Sequence, residues 1–277
     1  MTPAAPPLLH SAFYKFVPLA DADAVVDTLR ELVTALTGSI LVAEEGINGV
    51  VAGPEPALSA FEQALRTDAR LGGAFGDIAY KRSACTTRPF WKVRVHRKRE
   101  IVAFGVPGIS GAAERARPHT HVSPAQWREL LARDDVVVLD NRNSFEYRLG
   151  HFKPAIDPQV NNFRDFADYV LQHAPQWQAE GKSVAMYCTG GIRCEKTGAW
   201  MEQLGLPVYQ LDGGILNYFQ SLPDAAREWE GECFVFDNRI ALDTHLQETA
   251  TTAEQVYGDD PKDAWRLARA QRLDSAG

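Results

Sequence analysis

Two short runs of the chain, Val136–Asp140 (VVVLD) and Ser183–Tyr187 (SVAMY), are apolar at every position but one, and segments with helical spacing separate them. A strand that is apolar on both faces has to be covered on both faces. Sequences that alternate such strands with helices build a largely parallel sheet with helices above and below it. The second half of the chain is therefore constrained to an α/β fold. Its first helix is signalled in "HVSPAQWRELL", where Ser123 fits an N-cap, Pro124 the first helical position and Gln126 the third residue of a capping box. Helical stretches are expected around "NSFEYRLG" and "FRDFADYVLQHA", and "PVYQL" reads as a further strand before "DGGILNYF".

The first half follows a different pattern. Phe13–Val17 reads as a strand and Ala22–Leu36 as a helix, with Val25, Leu29, Leu32, Val33 and Leu36 at helical spacing. "SILVAEEGINGVVAG" reads as a hairpin whose turn is expected at Asn48–Gly49, a pair suited to positive φ. Pro54 can open a second helix with Leu58, Phe61 and Leu65 buried, and "DIAYKR" closes the unit as a strand. This β-α-β-β-α-β order is the split unit of ferredoxin-like folds, and "KVRVHRKREIVAFG" adds strand beyond it. The expected fold class is thus α/β overall. An α+β ferredoxin-like domain occupies 1–105, a Gly-, Ala- and Pro-rich linker 106–120, an α/β domain with a mainly parallel sheet 121–225 and a C-terminal extension 226–277.

In such sheets ligands sit beyond the carboxyl ends of the strands, where Asp140 and Cys188 both fall. Cys188 opens the loop "CTGGIRC", and the helix predicted after that loop would point N–H groups and its positive dipole end at the sulfur, favouring thiolate. Gly190 and Gly191 let the backbone curl, and Arg193 adds a permanent cation. A lone cysteine at a strand end is ordinarily an inert core residue. The glycines and the arginine turn the reading to a nucleophile. Cys194 fits two readings equally, a small packed helix residue or a resolving or proton-relay thiol. Cys85 and Cys233 stand alone without the paired spacing of a zinc site, so they read as structural and no metal is expected.

The segment Lys81–Arg99 holds eight Lys or Arg and no Asp or Glu, within a chain of formal net charge −7. A basic stripe on an acidic body suits local contact with phosphates, from Lys81, Arg82, Arg88, Lys92, Arg94, Arg97, Lys98 and Arg99. The competing reading is a solvated edge strand. No apolar stretch approaches the ~18 residues of a membrane span, the N-terminus lacks the pattern of a secretory signal, and four cysteines fit a reducing compartment. No membrane association and no obligate protein partner are expected.

The second half resembles a rhodanese domain, through "LDNRNSFEYRLGHFKPAIDP" and "YCTGGIRCEKTGAWMEQLG". Four residues, Thr189, Gly190, Gly191 and Ile192, separate Cys188 from Arg193. That is the spacing of rhodanese loops that handle sulfur, and related phosphatases have five. "EGING", "RPFWKVRVHRKREIVAFG", "FRDF", "LDGGI" and "GECFVFDNRIAL" extend the likeness over about Phe13–Asp243, in the order of the oxygen-dependent tRNA uridine hydroxylases. That resemblance implies a bacterial cytoplasmic enzyme acting on carbon 5 of the wobble uridine of tRNA. It further implies molecular oxygen as co-substrate, no bound cofactor, Cys188 and Arg193 as catalytic residues, and Asp140 and Arg142 as support. Many members carry a cysteine-rich segment after "ECFVFD", whereas Cys233 is the last cysteine here. The residues themselves define an activated sulfur in an anion-binding cradle. They leave open a sulfurtransferase working through a Cys188 persulfide, or a redox-responsive RNA-binding protein.

Overall fold

The computed structural model describes residues 8–112, 120–258 and 260–274. The chain forms two compact units. One runs to Ile101 and takes in Asp237–Arg239, and the other comprises Val102–Phe236 and the chain from Ile240 onward.

The first unit contains β1 (Leu8–Phe16), α1 (Ala22–Leu32), β2 (Thr37–Ala43), β3 (Gly46–Pro54), α2 (Glu55–Thr67), β4 (Tyr80–Cys85) and β5 (Val93–Arg97). Its sheet order is β4-β1-β3-β2-β5. All pairs are antiparallel except β2 with β5. Asp21 caps α1 by accepting from the Ala24 N–H at 2.9 Å. The stripes Val25, Val26 and Leu29 of α1 and Leu58, Phe61 and Leu65 of α2 meet Phe13, Ile40, Val42 and Val51 in one core. β1 starts at Leu8, earlier than its apolar pattern suggests, because it pairs with β3 from Phe16↔Gly46 to Leu8↔Pro54.

The hairpin turn is not at Asn48–Gly49. Ala43 pairs with Gly46, so Glu44 and Glu45 form the turn, and Gly46 takes the positive φ of 138°. Asn48 and Gly49 lie inside β3. The Asn48 side chain donates to the Ile101 carbonyl at 3.0 Å, and a Cβ on Gly49 would meet the Phe13 ring at 2.5 Å.

The second unit contains β6 (His121–Val122), α3 (Pro124–Leu131), β7 (Val136–Asp140), α4 (Ser144–Leu149), β8 (Gly150–Phe152), α5 (Phe166–Ala179), β9 (Ser183–Tyr187), α6 (Ile192–Gln203), β10 (Val208–Leu211) and α7 (Gly214–Ser221). The strands β6-β10-β9-β7 form a parallel sheet in that order. Alternate residues enter opposite cores, which is why the two runs are apolar throughout. Val137, Leu139, Val184 and Met186 pack with Phe166, Val170 and Trp177. Val136, Val138, Ala185 and Tyr187 pack with Trp127, Phe152 and Tyr218. The capping box of Ser123 and Gln126 is formed.

Two boundaries differ from the sequence expectation. The first unit ends at Ile101 instead of Gly105, because Phe104 belongs to the second core, with its ring 5.2 Å from those of Phe163 and Trp200. The expected linker 106–120 begins as core-packed chain, since Val106 and Ile109 join the same cluster, and residues 113–119 lie outside the described residues.

The expected extension 226–277 is likewise built into the fold. β11 (Trp229–Gly231) pairs with β8, β12 (Cys233–Phe234) pairs with β13 (Ala241–Leu242), and α8 (Ala253–Tyr257) and α9 (Ala264–Asp274) follow. Phe145 of α4 packs against Phe234, Val256 and Tyr257. Among the described residues no helix is long and apolar enough to cross a membrane.

Candidate active site

Cys188 directly follows β9, and the loop it opens turns into α6 through Gly191, whose φ is 99°. The Gly191 N–H donates to Cys188 Sγ at 3.1 Å. From the other side α7 closes on the loop. The N–H groups of Ile215 and Leu216 donate to the carbonyls of Cys188 and Thr189, at 3.0 and 3.2 Å. Gly214 makes this approach possible, with φ of 68°, because a Cβ there would lie 2.4 Å from the Cys188 carbonyl oxygen. With its carbonyls tied to α7, the loop keeps N–H groups for the sulfur.

Cys188 is buried, at 1% exposure. Burial is the largest influence on its ionisation and opposes it. The Cys194 thiol, the Arg193 charge and the N–H groups of Arg193 and Cys194 together outweigh burial and bring the pKa from 9.0 down to about 5. Cys188 is therefore a thiolate at neutral pH. Cys194 moves the opposite way, pushed well above 9.0 by burial and by the adjacent Cys188. Its sulfur lies 3.9 Å from the Asn141 amide nitrogen, which donates to Thr197 Oγ1 at 3.0 Å. Burial also pushes Cys233 up to about 12. All four cysteines are buried, and among the described residues no cluster of three or more His, Cys, Asp or Glu could hold a metal ion.

Arg193 does not hold a free fork over the loop. Its two terminal nitrogens donate to the Glu146 carboxylate at 2.8 and 2.7 Å, so it acts on Cys188 through charge. Glu146 is fully buried. Burial would raise its pKa, but the Arg193 charge and hydrogen bonds hold it below the usual carboxylate value. It also accepts the Asn143 N–H at 3.1 Å, which fixes it at the start of α4. Asp140 and Arg142 form a second buried pair at 2.6 Å. Tyr187 donates to Asp140 at 2.6 Å, and Arg142 donates to the Gly150 carbonyl at 2.7 Å, closing the carboxyl ends of β7 and β9 around that pair. Ile192 starts α6, and the Thr189 hydroxyl is buried without a hydrogen-bond partner among the described residues. Sequence reasoning missed Glu146 and Gly214. The "DGGI" glycine pair signalled the second, whereas Glu146 lies 47 positions from Arg193 and gave no local cue.

The basic segment is divided. β4 and β5 are opposite edges of their sheet, so Lys81 and Arg82 do not share an edge with Arg94 and Arg97. Arg82 is held by Glu62 at 2.6 Å, and Arg97 by Glu44 at 3.1 Å and Asp23 at 3.6 Å. Lys81 lies 5.9 Å from the Tyr14 ring, and Arg88 donates to the Phe90 carbonyl at 3.1 Å. Lys92, Arg94, Lys98 and Arg99 are exposed and have no carboxylate partner among the described residues.

A half-buried mixed sheet joined to a parallel α/β unit with a thiolate loop defines a two-domain protein of the rhodanese-containing class. Family models agree, with a UPF0176 acylphosphatase like domain matching residues 9–101 and a rhodanese-like domain matching 123–221. The chain is 39% identical over 270 residues to the tRNA uridine(34) hydroxylase of Legionella pneumophila (strain Corby), covering 96% of this chain and 99% of that one. It is 43% identical to that of Nitrobacter winogradskyi, over 90% and 96% of the two chains, and 41% identical to that of Deinococcus radiodurans, over 89% and 79%. The chain belongs to the tRNA uridine(34) hydroxylase family.

Proposed function

We propose that this chain hydroxylates carbon 5 of the uridine at position 34 of tRNA, in the cytoplasm, with molecular oxygen as co-substrate and Cys188 as catalytic residue. The observation that carries the reading is the placement of Cys188 Sγ at the head of α6, where it accepts the Gly191 N–H at 3.1 Å beside the Arg193 charge, an arrangement that lowers its pKa. A thiolate held there can add to carbon 6 of a uracil ring and shift the ring π pair to carbon 5 for attack on oxygen; loss of the carbon 5 proton then expels the thiolate, and a two-electron donor from outside the chain reduces the second oxygen atom to water. Arg193, oriented by Glu146, supports the thiolate, and the Asp140–Arg142 pair fixes the strand ends that carry the loop.

Contact with tRNA falls to the β5 edge. Lys92, Arg94, His96 and Lys98 share one side of the strand by its two-residue period. The Gly38 N–H to Lys92 carbonyl and Lys98 N–H to Val42 carbonyl bonds extend the pairing beyond both ends of β5. Burial lowers the His96 pKa, and Lys98, Arg94 and Arg30 lower it further, a sign of the positive field gathered there.

The test is nucleoside mass spectrometry of tRNA from cells lacking the gene, complemented with the parent or with Cys188→Ser. Deletion is expected to remove the nucleosides derived from 5-hydroxyuridine at position 34, and only the parent to restore them, because an alcohol stays protonated at neutral pH. Restoration by Cys188→Ser would end the role of Cys188. Normal levels in a deletion strain without a second pathway would end the reading.

A further inference from the structure

The first unit displays one large aromatic group toward solvent. Trp91 is 41% exposed, in a chain whose other unit-one aromatics are buried or half-buried. It sits near the end of the segment Thr86–Lys92, which leaves β4 at one edge of the sheet and enters β5 at the other. Crossing four inter-strand gaps requires about 19 Å, and seven extended residues reach only about 23 Å, so this segment has little slack.

It is also tied down. The Asn238 side chain and backbone N–H donate to the carbonyls of Arg88 and Pro89, each at 3.1 Å. Arg88 bonds the carbonyls of Phe90 and Trp91 at 3.1 and 3.4 Å, and its guanidinium lies 5.5 Å from the Trp91 ring centre. The Lys92 carbonyl is held by Gly38 at 3.0 Å. The indole is thus exposed yet fixed in place, next to Lys92 and Arg94, which have no carboxylate partner among the described residues.

We infer that Trp91 is a stacking platform for one unpaired base of the bound RNA, with Arg88 ordering the indole and Lys92 and Arg94 holding the adjoining phosphates. This rests on the assignment of tRNA contact to the β5 edge. An indole face accepts any base, so the platform selects unpaired over paired nucleotides and not one base over another. An apolar peptide would not favour an indole that carries the Arg88 guanidinium and is followed in the chain by the exposed cations Lys92 and Arg94. An RNA loop suits both properties together.

The experiment measures binding by the full chain of an RNA hairpin with an unpaired loop, and of a continuous duplex with the same stem, across a salt series. Trp91→Ala is expected to weaken hairpin binding between about five- and hundredfold. The slope of log affinity against log salt should stay unchanged, because no phosphate contact is lost. Trp91→Phe should recover most of the affinity, and the duplex should bind both variants as it binds the parent. Lys92→Glu with Arg94→Glu is the companion variant, expected to weaken both RNAs and flatten the slope. If Trp91→Ala binds the hairpin as the parent does while the charge variant weakens, the platform falls and the β5 contact stands. If neither variant weakens binding, both fall. Equal weakening of hairpin and duplex by Trp91→Ala would also overturn base stacking.

Discussion

Arginine serves opposite purposes in the two units. Around Cys188 the guanidinium groups of Arg142 and Arg193 are buried and each is forked onto a carboxylate, so the charges are fixed before any substrate arrives. Along β5 the cations Lys92, Arg94, Lys98 and Arg99 are exposed and face solvent, where a charge is useful for releasing counterions from a nucleic acid. A buried pair gives local field and rigidity, at the risk that losing one partner strands the other. An exposed cation gives little stability and much reach.

The largest effect separating these uses is expected from Arg193→Ala, which leaves the Glu146 carboxylate buried without its countercharge. Denaturant unfolding should show a loss of about 3–5 kcal/mol. In the parent, alkylation of Cys188 should titrate with a midpoint near pH 5, and the variant should move that midpoint upward, since removing a cation disfavours the thiolate. The Cys188 pKa of about 5 in the folded protein lies below its ordinary 9.0, so its contribution to stability is complete above pH 9 and is lost as pH falls toward 5. An unmoved midpoint would assign the thiolate to the loop N–H groups and Cys194 alone.

Next in size is the exposed row. Arg94→Glu with Lys98→Glu should weaken tRNA binding and reduce the salt slope by about two, while Cys188 alkylation stays as in the parent. Arg97→Gln should change the slope less, because Arg97 already faces Glu44 and Asp23. Equal slopes for all variants would place the RNA elsewhere.

The smallest effect is expected from Cys194→Ser, assayed by tRNA hydroxylation. Cys194 is a neutral, packed thiol whose hydrogen bonding to its neighbours a hydroxyl can reproduce, so activity should fall only a few-fold. A loss matching that of Cys188→Ser would give Cys194 a chemical step of its own.

The active-site loop was legible in the sequence because all its parts, sulfur, glycines and cation, are contiguous. The doubly covered sheet was legible for a similar reason, since burial of both faces leaves its mark within each five-residue run. What the sequence hid was set by pairing across distance. Glu146 joins Arg193 from another helix, and the basic segment looked like one face because strand order is not sequence order. The hairpin turn was misplaced because Asn48–Gly49 carries the stronger local signal, while the ladder register put the bend four residues ahead of it, at Glu44–Glu45, with Gly46 supplying the unusual φ.

The short segment Asp237–Arg239 has a consequence in time. In the first unit, buried His10 faces Asp237 at 3.5 Å, Arg239 reaches Ser83 at 3.1 Å, and Asn238 holds the Arg88 and Pro89 carbonyls. A ribosome that has made everything up to Ile101 has therefore not finished this unit. At about 5–20 residues per second its last three residues emerge on the order of ten seconds later, after the whole thiolate loop. Until then the nascent sheet lacks the partners of His10 and of the strap across its end, and the segment leading into β5 is tied down only once the thiolate loop has been synthesised.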